Sequence, residues 1–157
     1  MPFFNRAIGT PKFKVAGLPA LTPVAGTPLK LPFNSVVFDP GGYWDAVNFR
    51  WVPKVFGNYL IQFTANFITA SSTVLGQVST QIRQNGNNMG ANLQQQNLAA
   101  QTLNTSVFVE TILPFNGTTD FLEGFGFFLT PISGTWTTPA FSAGVNNNYM
   151  SAFYIGP

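Results

Sequence analysis

Residues 58–68 read NYLIQFTANFI, and this stretch decides the fold class. Apolar and aromatic side chains occupy every second position, namely Tyr59, Ile61, Phe63, Ala65 and Phe67. Polar side chains occupy most of the positions between them. A period of two places alternate side chains on opposite faces of a β-strand, whereas a helix needs a period of 3.6. The stretch therefore predicts one long, half-buried strand.

Similar but shorter patterns recur along the chain. They predict strands at residues 34–38, 48–52, 74–84, 98–113, 121–130, 134–138 and 149–155. Turn-forming residues separate them, and the pair Asn85-Gly86 is typical of a type I′ hairpin. The amide-rich residues 92–104 are the one place where a short helix remains an alternative. Short strands separated by turns predict an all-β sandwich or barrel.

The predicted strand at 121–130 has an unusual second face. Phe121, Phe125, Phe127 and Leu129 share one face of it. Gly124 and Gly126 fall on the other face, together with Leu122 and Phe128. A glycine at such a position lets another backbone or an aromatic ring approach closely.

The first thirty residues differ from the rest in composition. They contain five prolines, three glycines and four basic residues with no acid, while the remaining chain carries a net charge of −2. Prolines remove backbone donors and favour extended structure. Residues 1–30 are therefore predicted to form an extended, basic anchoring arm ahead of a domain at 31–157. The candidate anchoring residues are Phe3, Phe4, Arg6, Lys12, Phe13 and Lys14.

The composition argues against an enzyme. The chain has no histidine and no cysteine, which removes the commonest general base, the thiol nucleophile and the usual zinc ligands. Only 8% of the residues are charged, against about 25% in typical soluble proteins. Such a surface fits either a neutral, polar monomer or a subunit covered by its neighbours, and the second interpretation is favoured. No membrane span is expected, and the few spread-out basic residues are weak support for nucleic-acid binding.

Two further kinds of site have candidate residues in the sequence. Asp39 and Asp45 flank a glycine turn and offer oxygen ligands for Ca²⁺, but Asp residues serve turns far more often, so neither a metal site nor a cofactor is predicted. Several aromatic residues could stack on the sugar rings of a host-surface glycan, although cores and interfaces are the commoner place for such side chains. These residues are Tyr43, Trp44, Trp51, Trp136 and Tyr149.

The order of these elements resembles the globular domain of the C1q/TNF-like proteins. The segment PKVFGNY at 53–59 resembles the family's entry into its long aromatic strand, and Asn85-Gly86 falls at a family hairpin. Thr119-Asp120-Phe121 and the ending YMSAFYI at 149–155 resemble two later family motifs. The resemblance covers about residues 31–157. It implies a ten-strand jelly roll that assembles as a homotrimer around an aromatic axis.

If that implication holds, five residues are candidates for the threefold contact or, equally, for the core of one subunit: Tyr59, Ile61, Phe63, Phe125 and Phe127. The resemblance also implies that some relatives bind Ca²⁺. No collagen-like repeat is present in residues 1–30.

The favoured functional hypothesis is a non-enzymatic virion structural protein, assembled in the host cytoplasm. It would be a homotrimeric capsid decoration, cement or fibre-base protein of a bacteriophage, fastened to other virion proteins by its arm. This hypothesis rests on the low charge, the many amide side chains, the arm, and an N-terminus without the apolar run of a secretory signal. The alternatives are a receptor- or glycan-binding fibre module and a secreted C1q-like ligand.

Overall fold

The computed structural model describes residues 10–19, 21, 24, 26–68, 77–95, 104–129 and 148–157. The regular structure in these ranges is β-strand throughout, so the predicted all-β class is confirmed. Over the same residues the structure has no helix that is long and apolar enough to span a membrane. The predicted strand at 134–138 lies outside the described residues, as does most of the stretch considered for a helix.

The described residues form eleven strands in chain order. Their bounds are β1 Lys12–Ala16, β2 Leu29–Lys30, β3 Ser35–Phe38, β4 Trp44–Asp45, β5 Arg50–Trp51, β6 Gly57–Ile68, β7 Gln77–Gln84, β8 Asn87–Gln95, β9 Asn104–Phe115, β10 Leu122–Leu129 and β11 Tyr149–Gly156. Sheet I has the order β3-β1-β11-β6-β9. Sheet II has the order β4-β5-β10-β7-β8, with β2 also pairing with β10. All pairings are antiparallel, and strands distant in sequence lie side by side, as in a jelly roll.

Strand β6 is an interior strand of sheet I, between the central β11 and the edge strand β9. It pairs with β9 over its whole length and with β11 on its other side. Tyr59, Ile61 and Phe63 are fully buried between the two sheets. An alternating strand with one buried face must sit in this register, because a shift of one residue would turn all of these rings toward water.

Strand β1 corrects the predicted boundary between arm and domain. The arm was assigned to residues 1–30, yet Lys12–Ala16 pairs with β11 on one side and β3 on the other. Phe13 and Val15 are fully buried, and the Phe13 ring stacks on Trp51 with centroids 4.8 Å apart. The prolines at 11 and 19 flank this strand and do not interrupt it, so the short alternating run between them is free to pair.

The Asn85-Gly86 hairpin is confirmed. Both residues have positive φ, 54° at Asn85 and 81° at Gly86, and they connect β7 to β8. A two-residue turn with positive φ at both positions matches the right-handed twist of the strands. Strand β8 was not predicted as a separate element, because its amide side chains hide the alternation that pairing with β7 imposes.

The close approach predicted at Gly124 is also present. A Cβ built on Gly124 would lie 3.3 Å from the Cζ of Phe63 and 3.4 Å from the Sδ of Met150. The ring of Phe33 packs edge-on against Phe63 at 6.0 Å between centroids. The absent side chain thus allows sheet I and sheet II to pack closely at the centre of the core.

Candidate functional site

The acidic residues of the glycine turn act as turn acceptors. Asp39 Oδ2 accepts a hydrogen bond from the Trp44 backbone N–H at 2.6 Å. Asp45 accepts bonds from the backbone N–H groups of Val47 and Asn48, and from the Asn48 side chain at 2.7 Å. In the part of the chain that the structure describes, no three acidic, histidine or cysteine side chains cluster as a metal would require.

These bonds set the charge state of Asp45. The hydrogen bond from the Asn48 side chain, followed by that from the Asn48 backbone, holds the pKa of the Asp45 carboxyl below its ordinary value of 3.8. The Arg50 Nε lies 3.3 Å from Asp45 Oδ2 and adds to the same effect. The carboxylate is therefore ionised at neutral pH and fixes the turn between β4 and β5.

The five aromatic and aliphatic candidates for the threefold contact do not form one surface. Tyr59, Ile61 and Phe63 lie fully buried in the core of a single subunit. Phe125 and Phe127 lie half-buried on the outer side of sheet II, the sheet opposite β6. The alternative in which these residues fill the core therefore describes the first three, while the other two belong to a separate surface.

The candidate anchoring residues are likewise divided. Phe13 belongs to the core, Lys12 is exposed and Lys14 is half-buried on the outer side of β1. The Nζ of Lys14 lies 4.4 Å above the centre of the Tyr149 ring, and cation–π contacts of this kind stabilise a lysine beside a ring. Phe3, Phe4 and Arg6 lie outside the described residues.

The aromatic residues considered for glycan stacking do not form an open groove at the 40–51 turn. Trp51 is fully buried, and Tyr43 and Trp44 pack partly buried against the core. The Trp44 ring stacks on Phe13 at 5.8 Å. Trp136 lies outside the described residues. Trp51 is therefore a core residue and is not available to a sugar ring.

The outer face of sheet I is the strongest candidate for a functional surface. Strand register places Phe153 beside Leu60, and Leu60 beside Ile112, across β11, β6 and β9. Leu60 and Phe153 are half-buried, and Ile112 is 57% exposed. These three residues, called the apolar row below, form a continuous hydrophobic band that crosses the three strands at the centre and edge of the sheet. Scattered apolar residues are normal on protein surfaces, but a contiguous band indicates an interaction site.

A polar row runs parallel to the apolar row. Register aligns Lys14 with Ser151, Ser151 with Gln62, and Gln62 with Glu110. The Gln62 side chain donates a hydrogen bond of 2.7 Å to Glu110 Oε2. This row therefore begins with a positive charge on β1 and ends with a negative charge on β9.

The outer face of sheet II has a different character. Here the guanidinium of Arg83 lies 4.0 Å from the centre of the Phe125 ring, and Arg50 lies 4.9 Å from that of Phe121. Lys30 forms an ion pair with Glu123 on the same sheet. Charged groups are thus interleaved with the aromatic rings of this face.

The residues of the apolar row were not singled out from the sequence. Each of them stands at a position where the alternation calls for a polar side chain, as Leu60 does between Tyr59 and Ile61. An apolar residue at an outward-facing position was the available signal for this surface. It does not show which such residues meet in space, because Leu60, Ile112 and Phe153 become neighbours only through strand pairing.

The comparisons with known proteins concern the fold. No protein-family model matches the chain, and no curated protein sequence does so either. Among solved structures, murine APRIL matches with a TM-score of 0.67 and 8% identity, over 93% of this chain and 99% of that one. The globular domain of zebrafish complement 1qA matches with a TM-score of 0.56 and 14% identity, over 92% of this chain and 93% of that one. At these identities the likeness concerns the fold alone. The resemblance found in the sequence is thereby confirmed at that level: this chain folds as a C1q/TNF-like jelly roll.

Proposed function

We propose that this chain is a non-enzymatic structural subunit that assembles as a homotrimer through the outer face of sheet I. The observation that carries the proposal is the apolar row formed by Phe153, Leu60 and Ile112. Phe108, on the same face of β9, adds a ring that is 41% exposed. Burial of such a band between subunits would contribute about 25 cal/mol for each Å² of apolar surface removed from water.

A copy of the same chain is the occupant that best fits this face. Its apolar row crosses β11, β6 and β9, and its charged residues lie to either side, on β1 and β9, which is an arrangement that suits a subunit interface. The chain as a whole has few charges to keep copies apart, with a net charge of +2. Three is the subunit number implied by the C1q/TNF-like resemblance.

The test is the native mass of the purified chain and of two variants. The wild type should have about three times the 17.0 kDa chain mass. Ile112→Asp should shift the assembly to monomers, because it places a charge in the apolar row. Leu93→Asp is the matched control, since Leu93 is 47% exposed on sheet II. A monomeric wild type, or equal loss of assembly in both variants, would contradict the proposal.

The finer proposal is that this trimer is a bacteriophage virion protein, serving in capsid decoration, as cement or at a fibre base. It is supported by the low charge, the amide-rich composition, and the segment that precedes β1, which has two prolines and Arg6 as its one charged residue. Since β1 belongs to the jelly roll, the attachment role is confined to the residues before it. Phe3, Phe4 and Arg6 are the candidate anchors among them.

A short deletion separates attachment from folding. Removal of residues 1–9 leaves all described strands in place, so the truncated chain should remain a folded trimer and fail to bind the particle. The matched control replaces residues 1–9 by an unrelated polar segment of the same length, which should also fail to bind. Normal incorporation of both truncated and replaced chains into virions would contradict the attachment role.

A further inference from the structure

The charged groups on the outer face of sheet I have an uneven distribution. In the described part of this face they are Lys12, Lys14 and Glu110. Both lysines stand on β1, toward one margin of the sheet, and Glu110 stands on β9 at the other margin. The face is thus positive on one side and negative on the other.

Lys14 and Glu110 cannot satisfy each other within one chain. They lie in the same cross-strand row, separated by the three strand steps from β1 through β11 and β6 to β9. At about 4.8 Å for each step, their backbones are about 14 Å apart. The ion pairs among the described residues are Lys30–Glu123 and Arg50–Asp45, so neither Lys14 nor Glu110 takes part in one there.

The surroundings hold both groups ready for a partner. Lys14 is steadied by the Tyr149 ring beneath its Nζ, and Glu110 Oε2 is held by the Gln62 side chain. An ordered side chain loses less entropy when it forms an intermolecular bond. The remaining carboxylate oxygen of an exposed Glu110 is open to a cation from outside the chain.

We infer that Lys14 of one subunit pairs with Glu110 of the next, so that the β1 side of each copy meets the β9 side of its neighbour. The inference rests on the proposed homotrimer. Each subunit contributes one Lys14 and one Glu110, so a closed ring pairs every copy of these two residues, whereas contact between two β1 sides would oppose lysines. The apolar row supplies attraction, and this pair selects the orientation in which subunits meet.

A charge-reversal cycle tests the pairing. Lys14→Glu and Glu110→Lys should each raise the concentration at half-assembly about tenfold or more, since each brings like charges together. The double variant K14E/E110K should restore assembly to within about threefold of the wild type, because the pair is re-formed with its signs exchanged. These effects should shrink in about 1 M salt, where the Debye length is only about 3 Å and charges farther apart than that are largely screened.

Lys12→Glu provides the matched control. Lys12 lies on the same strand and face but in the row of Phe153, which contains no acid. The double variant K12E/E110K has the same net charge as K14E/E110K and should fail to restore assembly. Circular dichroism of each variant establishes that the subunits remain folded. If the wild type is a trimer and the single reversals leave its assembly unchanged, the pairing is wrong and the homotrimer stands. The same conclusion follows if both double variants restore assembly equally.

Mixing the two single variants tests the ring size separately. In a ring with an even number of subunits, K14E and E110K copies can alternate, and every contact then joins opposite charges. In a ring of three, at least one contact joins identical copies and opposes like charges. Incomplete restoration by the mixture is therefore expected. If the mixture assembles as well as the wild type, and the double variant K14E/E110K also assembles, the pairing is supported and the homotrimer is overturned.

Discussion

A single methyl group added at the centre of the core tests how closely the two sheets pack. In Gly124→Ala the new Cβ would lie 3.3 Å from Phe63 Cζ and 3.4 Å from both Met150 Sδ and Phe33 Cε2. Neighbours from three separate parts of the chain crowd this position, and the Phe63 ring would have to give by a few tenths of an ångström. Gly90→Ala is the matched control, because its Cβ would meet the nearest atom, in Thr111, at an ordinary 3.6 Å.

The expected magnitudes have opposite signs. Replacement of a glycine by alanine in a compatible conformation stabilises a protein by about 0.4–1 kcal/mol through the unfolded state. Overpacking of a dense core costs about 1–3 kcal/mol. The net free energy of unfolding should therefore fall by about 0.5–2 kcal/mol in Gly124→Ala and rise by about 0.4–1 kcal/mol in Gly90→Ala. For a chain of this size, 1 kcal/mol changes Tm by about 2–4 °C.

The assay is urea unfolding of both variants at one fixed protein concentration, with calorimetry for Tm, because assembly makes apparent stability depend on concentration. Phe63→Leu, which removes the ring end nearest to Gly124, should reduce the cost of Gly124→Ala when the two are combined. A Gly124→Ala variant as stable as Gly90→Ala, or no coupling to Phe63→Leu, would refute close packing of the two sheets at Gly124.

Four other outcomes are expected. Phe13→Ala should lower the free energy of unfolding by about 3–5 kcal/mol in urea titrations, as expected for a core aromatic residue. A loss as small as that of a surface substitution would mean that β1 belongs to the arm and not to the domain. Gly117→Ala should destabilise the fold, because Gly117 has a φ of 71° and its Cβ would lie 2.5 Å from the Phe56 backbone nitrogen; Gly86→Ala, with φ of 81° but open space, should be milder in thermal unfolding. Burial raises the pKa of Tyr59 from 10.0 to about 12. Stability should therefore be intact below pH 10 and fall as the pH rises from 10 through 12. Tyr59→Phe should lack this loss in alkaline unfolding titrations. The lowered pKa of Asp45 stabilises the fold above pH 3.8, and this contribution should disappear as the pH falls through the folded-state value; Asp45→Asn should show a smaller acid-induced decrease in Tm.

Local patterns in the sequence were sufficient for several elements. The alternation in β6 identified its buried residues, since each side chain's face follows from its place in the strand. The Asn85-Gly86 hairpin was predictable because its positive φ values depend on two adjacent residues. The close approach at Gly124 was predictable in kind, although the sequence did not reveal that the Phe63 ring makes it.

Strand β1 could not be separated from the arm on the same grounds. The prolines and glycines around it dominate the composition of residues 1–30, and its five residues are too short to show a convincing period. Its partners are β11, near the other end of the chain, and β3. Its membership of the domain thus depends on contacts that composition does not reveal.

By itself, the sequence determined that this protein is an all-β sandwich and which side chains of β6 share its buried face. It also determined which reactive side chains the chain lacks, because there is no histidine or cysteine and few residues are charged. Only the tertiary structure decided which outward-facing residues share a surface. Leu60, Ile112 and Phe153 form one row, and Lys14 and Glu110 end another, because antiparallel register aligns strands that are far apart in the chain. Alternation specifies the face of a residue on its own strand, whereas its neighbours across the sheet are specified by the register that packing of the whole core selects.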